Sequence, residues 1–212
     1  MGNRGVIIAF EGIEGSGKTT QAHLLYEYLK ERGLPCLLLR EPGATTIGEK
    51  IREILLDPEC KMMDAKTELL LYLASRAQMV AEKIIPGLRE KKVIITDRFS
   101  DSSLAYQGGG RRLGLDVVSR LNKFATNKIR PDLVILLDLP VAIGLNRIRR
   151  ENSDRLEREE EKFHEEVRKT YLQIAKRRGK RIKVFDATKE KEEIHWAIRS
   201  KVIEFLNQKG LI

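Results

Sequence analysis

The 212-residue chain contains few of the residues that mark disulfide-rich, metal-binding or membrane proteins. It has two cysteines, Cys36 and Cys60, which form no spaced pair of the kind that binds zinc or cycles between thiol and disulfide. No apolar run approaches the ~20 residues that a membrane helix needs, and the first residues lack the pattern of a secretory signal. We therefore expect a cytoplasmic protein with reduced thiols and no membrane contact.

Aromatic residues are also scarce, at 6% of the chain, although the net charge is +9. The chain carries no aromatic–basic RNA-binding signature, and its lysines and arginines alternate with glutamates as they do on solvated helix faces. The sequence therefore predicts no nucleic-acid partner. A small, phosphate-rich substrate is the alternative explanation for the excess positive charge.

Hydrophobic patterning predicts an α/β fold in three layers, with a doubly wound, five-stranded parallel sheet. The predicted strands are the short apolar runs at residues 6–10, 36–39, 93–96, 133–138 and 182–185. The helix-period stretches between them are residues 18–32, 65–89 with an interruption near Pro86, 115–127, 141–150, 157–178 and 190–207. No linker or repeat divides residues 1–212, so we expect one domain with its ligands at the carboxyl ends of the strands.

A complete phosphate-binding loop follows the first predicted strand. Residues 12–19 read Gly-Ile-Glu-Gly-Ser-Gly-Lys-Thr and lead directly into the first predicted helix. Glycines let the backbone amides converge on phosphate oxygens, Lys18 can reach the β- and γ-phosphates, and the Thr19 hydroxyl is a hard ligand for Mg²⁺. The loop predicts a nucleoside triphosphate site made of Gly12, Ile13, Glu14, Gly15, Ser16, Gly17, Lys18, Thr19 and Thr20.

This loop alone does not separate kinases from GTPases or motor ATPases. No Asn-Lys-x-Asp guanine-reading motif follows a later strand, which disfavours a GTPase-like switch. Two predicted strands end in a carboxylate, Asp97 and Asp138, and position alone does not choose between them. The adjacent Arg98 favours Asp97 as the magnesium-associated residue and Asp138 as a structural one.

Further charged and aromatic residues lie near the predicted strand ends. Arg40 ends the second strand, and Tyr72 lies one helical turn from Arg76. An aromatic ring and a guanidinium at this spacing can take up a base and its phosphate. The alternative for such a pair is a packed tyrosine beside a surface salt bridge.

Six segments in order make the chain resemble the thymidylate kinase family. They are residues 10–20, 40–45, Tyr72 with Arg76, 97–99, 102–108 and 154–157. The resemblance implies a P-loop nucleoside monophosphate kinase that uses ATP and Mg²⁺ to phosphorylate dTMP to dTDP, on the way to dTTP. It also implies a homodimer. Another P-loop kinase of deoxynucleotides or nucleosides stays open as the alternative, although Arg40 and Arg76 favour an acceptor that already carries phosphate.

The resemblance assigns roles to individual residues. Lys18 and the loop amides would hold the ATP phosphates, Thr19 the magnesium, and Arg98 would lie between the donor and acceptor phosphates. The implied acceptor site consists of Glu14, Arg40, Tyr72, Arg76, Arg98, Ser103, Tyr106 and Gln107.

Within that implied site, each side chain matches a part of dTMP. Glu14 would approach the 3′-hydroxyl and Arg40 would grip the phosphate. Tyr72 would stack on thymine, where the family usually has phenylalanine, and Arg76 would orient base and phosphate. Tyr106 would crowd the 2′ position.

The resemblance also implies that Ser103 and Gln107 lie in the segment that would face the pyrimidine.

Two features distinguish this chain within the family. Gly15 occupies the loop position where some members carry an arginine, and the arginine-dense stretch near residues 147–157 resembles a lid that closes over ATP. Arg149 and Arg150 are the catalytic lid candidates, with the choice between them open and a solvated helix face as the alternative. Ala44 replaces the second glycine of the usual Glu-Pro-Gly-Gly-Thr segment, so that turn must change its backbone or carry strain.

Overall fold

A computed structural model describes residues 4–148 and 154–212 of the chain. Its centre is a parallel sheet in the order β2-β3-β1-β4-β5. The strands are β1 Val6–Glu11, β2 Cys36–Arg40, β3 Val93–Asp97, β4 Leu133–Asp138 and β5 Ile182–Asp186. All five predicted strands and the predicted parallel α/β fold are therefore confirmed.

Helices alternate with these strands. They are α1 Lys18–Glu31, α2 Thr46–Leu56, α3 Ala65–Met79, α4 Ile85–Arg89, α5 Ser100–Ser103, α6 Leu115–Ala125, α7 Val141–Arg147, α8 Glu161–Arg177 and α9 Lys191–Gln208. Two π-helical segments, Val80–Ile84 and Leu104–Gly110, continue α3 and α5 respectively. Among the described residues, no helix combines the length and apolarity needed to cross a bilayer.

The core lies on both faces of the sheet. Every residue of β1 is buried, which requires helices on each side, because successive side chains of a strand point to opposite faces. Helix α9 packs on the core through Ile194, Ile198, Val202 and Leu206, all buried. Trp196, off this stripe, is 62% exposed.

Three helical regions differ from the prediction. The predicted helix at 65–89 changes to π-helical winding at Val80, ahead of Pro86, whose missing N–H interrupts the hydrogen-bond ladder. Helix α2 was not predicted; Thr45 begins it by accepting a hydrogen bond from the Gly48 amide. The helical turns at residues 100–110 were also missed, because three consecutive glycines follow Gln107.

Those glycines are explained by the close approach of α8. A Cβ atom placed on Gly109 would lie 2.1 Å from Thr170 Oγ1, so only glycine lets α8 pack against the π-helical segment. This contact fixes one wall of the cleft described below.

The topology brings functional segments to one edge of the sheet. The phosphate loop follows β1, Asp97 ends β3 and Arg40 ends β2, and these three strands are neighbours in the sheet. Asp138 ends β4, where Arg168 donates to its carboxylate at 2.8 and 3.1 Å. A paired Asp138 fits the structural role that the sequence favours for it.

Candidate active site

A cleft of about 830 Å³ opens at this edge of the sheet. Its walls come from the phosphate loop, the end of β2, helix α3, the segment after β3, and residues 154–157. Of the predicted nucleotide loop, Glu14, Gly15, Gly17, Lys18, Thr19 and Thr20 line the cleft, whereas Gly12, Ile13 and Ser16 do not. Of the predicted acceptor residues, Glu14, Arg40, Tyr72, Arg98, Ser103, Tyr106 and Gln107 line it, whereas Arg76 does not.

The phosphate loop depends on its glycines. Gly12, Gly15 and Gly17 have φ values of 145°, 69° and 89°, in the region that side chains disfavour. A Cβ on Gly15 would also lie 2.3 Å from the Gly144 carbonyl oxygen. The contact with α7 therefore accounts for the absence of a loop arginine at this position.

Lys18 is buried at the first position of α1. Its Nζ donates to the Ile13 carbonyl at 2.7 Å and approaches Ser16 Oγ at 3.4 Å. Among the described residues, no carboxylate lies within 4 Å of this ammonium group. Burial, followed by the nearby charge of Arg98, lowers the pKa of Lys18 to about 8. Glu14, Asp97 and Glu11 offset part of this shift, so the loop holds a cation whose charge is only partly compensated.

Thr19 and Asp97 bring two hard oxygens together beside the loop. The Thr19 hydroxyl donates to Asp97 Oδ2 at 2.5 Å. No group of three or more histidine, cysteine or acidic side chains among the described residues is arranged to hold a metal. A cation here would take its remaining ligands from phosphate oxygens and water, which is the way Mg²⁺ is bound in nucleotide sites. The donor set fits magnesium.

Arg98 links the phosphate loop to the second wall of the cleft, which is formed by Tyr72, Ser103, Tyr106 and Gln107. It has a left-handed backbone, with φ at 70°. Its Nη1 donates to the Gly12 carbonyl at 3.1 Å and its Nη2 to Glu14 Oε1 at 3.0 Å. The guanidinium carbon lies 5.1 Å from the centre of the Tyr106 ring. A strained residue held in this way is common at functional sites.

Glu14 is the centre of a buried polar network. Tyr106 Oη donates to its Oε1 at 2.6 Å, and His164 Nδ1 lies 3.3 Å from its Oε2. Burial disfavours the carboxylate charge, but Arg98, then the contact with His164, and then Lys18 hold the pKa of Glu14 well below its usual value. Glu14 is therefore ionised and available as an acceptor. Sequence reasoning missed His164, because nothing in its local pattern distinguishes it from a packed helix residue.

Arg76 lies behind the cleft wall, where it is 1% exposed. Its Nε and Nη2 donate to the two carboxylate oxygens of Glu41, at 2.7 and 2.6 Å. Its Nη1 donates to Ser103 Oγ and to Asn122 Oδ1, and its Nη2 also reaches the Phe99 carbonyl. All five N–H donors of this guanidinium are therefore used within the protein.

The remaining predicted acceptor residues stand at the cleft surface. Tyr72 presents its ring from α3, and Arg40, at the open side, donates to Glu49 Oε2 at 2.9 Å. Gln107 donates to Glu68 Oε1 at 2.8 Å. Sequence reasoning missed Glu68, a buried carboxylate that fixes the Gln107 side chain.

The arginine-rich segment has two anchored ends. Arg147 Nη1 donates to the Gly15 carbonyl of the phosphate loop at 3.2 Å. Arg155 is buried and its Nη1 lies 2.7 Å from Glu68 Oε2. Arg149 and Arg150, the predicted lid candidates, lie outside the described residues.

The Ala44 turn carries the expected strain. Ala44 has a left-handed backbone with φ at 66°, and its amide donates to Glu49 Oε1 at 2.9 Å. Ala44 thus adopts a conformation that favours glycine, at a cost of about 1 kcal/mol.

A doubly wound sheet, a phosphate loop at β1 and a second wall of aromatic and polar groups define a P-loop nucleotide kinase. Comparison with known proteins makes this more specific. The profile of the family "Thymidylate kinase" matches residues 10–198. The chain belongs to the thymidylate kinase family.

Relatives agree over nearly the whole length. The thymidylate kinase of Thermosipho africanus is 50% identical over 201 residues, covering 95% of this chain and 99% of that one. That of Fervidobacterium nodosum is 48% identical over 190 residues, covering 90% and 94%. The crystal structure of thymidylate kinase from Ehrlichia chaffeensis superimposes with a TM-score of 0.75 at 32% identity, covering 95% and 98%. The resemblance noted from the sequence is confirmed.

Proposed function

We propose that this protein transfers the γ-phosphoryl group of ATP to the 5′-phosphate of dTMP, giving dTDP and ADP. The position of Arg98 carries the proposal. Its guanidinium is bonded to the phosphate loop through Gly12 and stacked over Tyr106 of the second wall. This cation lies between the triphosphate site and the second wall. An acceptor phosphate would meet the γ-phosphate at that position.

The chemistry needs no covalent enzyme intermediate. The attacking oxygen of dTMP belongs to a phosphate that is already ionised near neutral pH, so no side chain has to remove its proton. Lys18 and Arg98 neutralise the charge that spreads over the transferring group, and the fixed walls hold donor and acceptor in line. We propose Arg149 and Arg150 as further cations supplied by the lid.

Thr19 and Asp97 would hold a magnesium ion beside the phosphate loop, where it would neutralise β- and γ-phosphate oxygens.

The second wall offers one group for each part of dTMP. Glu14, kept ionised by Arg98, would accept a hydrogen bond from the 3′-hydroxyl. Tyr106, whose hydroxyl is fixed by Glu14, would fill the space at the 2′ position. Tyr72 would stack on the thymine ring. Arg40 would bind the acceptor phosphate.

Ser103 and Gln107 would read the edge of the base. Arg76 and Glu68 fix these two side chains from behind the wall. Because every donor of Arg76 already has a partner, a contact from Arg76 to thymine would require an exchange of one of these bonds. We propose that Arg76 orients the base mainly through Ser103.

We propose that residues 1–212 act as one kinase domain with a lid near 147–157, and that the protein forms a homodimer in the cytoplasm. One sheet includes strands from both halves of the chain, which supports a single domain.

Helices α3 and α6 are neighbours whose outer faces expose Leu70 and Phe124, at 58% and 86%, which supports a contact between copies. Both cysteines are free, which fits a reducing compartment.

A transfer assay with γ-labelled ATP tests the function. We expect label to reach dTMP faster than dCMP or dGMP, and not to reach thymidine. Arg98→Met should lower kcat by at least 10³-fold, since it removes a charge that acts on the transferring group. Arg120→Met, a change at an exposed arginine of α6, is the matched control and should retain wild-type turnover. Preferential labelling of thymidine would favour the nucleoside kinase alternative and overturn the proposal.

A further inference from the structure

A second cavity, of about 860 Å³, lies beside helix α5, the helix that also contributes Ser102 and Ser103 to the kinase cleft. It is formed where β4 and β5 begin and where α6 and α8 end. None of its lining residues lines the kinase cleft. We call it the basic groove, after its lining cations Lys123, Lys128, Arg130, Arg177, Arg178, Lys180 and Arg181.

The charge of the basic groove is not compensated locally. Asp101, buried beneath it, pairs with Arg178 at 3.2 Å and with Arg181 at 2.8 Å. Within the described part of the chain, the other five cations of the groove have no carboxylate within 4 Å. Seven cations therefore face one acidic side chain.

Helix dipoles do not account for this surplus. Basic residues are common in the last turn of a helix, because the exposed carbonyls there carry about half a negative charge. Two helices, α6 and α8, end at the groove, so their dipoles supply about one negative charge in total. Helix dipoles and Asp101 together therefore offset only part of the positive charge of the basic groove.

Two details distinguish the rim of the groove. Within the described residues, Arg181 Nη1 is buried and has no hydrogen-bond partner, although such donors are nearly always satisfied. Asn127 and Lys128, which directly follow the C-cap residue Thr126, both have left-handed backbones, with φ at 49° and 63°. Lysine is strained in this conformation, so the fold keeps a cation on the rim of the groove at a cost.

We propose that the basic groove binds a phosphate-chain anion, either free polyphosphate or the phosphates of a nucleotide. Several closely spaced guanidinium and ammonium groups match the multiple oxygens of such a chain better than a single carboxylate. The cavity volume lies within the range of small-ligand sites. Ser100 and Ser119 line the same groove and add hydroxyl donors.

Titration calorimetry with tripolyphosphate tests the proposal on the full chain. The kinase cleft is first filled with one equivalent of a compound that joins adenosine and thymidine through five phosphates. We expect tripolyphosphate to bind at one further site per chain, with an affinity that falls as salt is raised. ATP in place of tripolyphosphate distinguishes the sources: tighter binding of ATP assigns the groove to a nucleotide, and equal or weaker binding to a free phosphate chain.

Two charge-reversed variants make the test specific to the groove. Lys128→Glu/Lys180→Glu should weaken tripolyphosphate binding at least tenfold and leave dTMP turnover unchanged. Lys83→Glu/Lys209→Glu alters the net charge equally at exposed lysines elsewhere and should change the affinity less than twofold. If the first pair prevents folding, Lys123→Glu/Arg177→Glu replaces it.

Three results would overturn the proposal. One is the absence of binding beyond the filled cleft. Another is an equal loss of affinity in both variants, which would mean diffuse attraction to a basic protein. The third is tighter, groove-dependent binding of a single-stranded oligonucleotide, which would make the groove a nucleic-acid surface.

Discussion

Replacing Lys18 by methionine should stabilise the unliganded protein while abolishing its activity. Lys18 is 6% exposed, and its ammonium group contacts only neutral oxygens of the loop within hydrogen-bond distance. The fall of its pKa from 10.5 to about 8 corresponds to about 3 kcal/mol of unfavourable free energy in the folded state. Methionine fills a similar volume without the charge.

The expected gain is smaller than this figure, because two hydrogen bonds are lost at about 1 kcal/mol each. We expect the unfolding free energy at pH 7 to rise by about 1–2 kcal/mol, and Tm by roughly 3–6 °C for a chain of this length. Lys50→Met, at an exposed lysine in the middle of α2, is the control and should leave Tm unchanged.

The pH dependence provides a second check. Native Lys18 loses its proton from about pH 8, whereas the unfolded chain keeps it to about 10.5. In that window the unfolded state binds more protons, so the wild type gains stability relative to the variant as the pH rises. The difference between them should narrow by about 2 kcal/mol between pH 7 and 9.5. Urea unfolding at pH 7 and at pH 9.5 measures the stability difference and its change with pH. A Lys18→Met variant that is less stable than wild type at pH 7 would refute the reasoning.

Two further predictions follow from buried carboxylates, and a third from a glycine of the phosphate loop. Glu41→Gln leaves the Arg76 charge unpaired in the core and should lower the unfolding free energy by about 3–5 kcal/mol in urea; a loss below 1 kcal/mol would contradict this. Burial raises the pKa of Glu11 to about 7, so between pH 4.5 and 7 the folded state binds one more proton than the unfolded state. The unfolding free energy should therefore fall by about 3 kcal/mol as the pH rises through that window. Glu11→Gln should remove this slope, and an unchanged slope would exclude Glu11 as its source. Gly15→Ala should destabilise the loop by about 1–3 kcal/mol and weaken ATP binding measured by calorimetry, whereas wild-type affinity would contradict the clash with Gly144.

The sequence predicts the fold and the phosphate loop well because both depend on local patterns. Each strand is a short apolar run, and the loop from Gly12 to Thr19 places its chemistry at fixed spacing between a strand and a helix. Helix α2 was missed although it is as long as α6, because it follows a turn-like segment and its start depends on the Thr45 cap.

The second wall is less predictable because it depends on contacts between distant segments. Tyr72 and Arg76 share a helix face, yet Glu41 from the β2 turn and Asn122 from α6 draw Arg76 behind the wall. His164 reaches Glu14 only because α8 packs on the π-helical segment. No residue spacing in the sequence predicts these contacts.

A crystal structure with dTMP and a non-hydrolysable ATP analogue bound would test the central claim most directly. The claim is that cations from separate segments meet at the phosphorus atom that is transferred. We predict that Lys18 Nζ and at least one Arg98 Nη atom lie within about 3.5 Å of phosphate oxygens at the junction of the two nucleotides. If both side chains keep only their contacts with Ile13, Gly12 and Glu14 and point away from that junction, the account is contradicted.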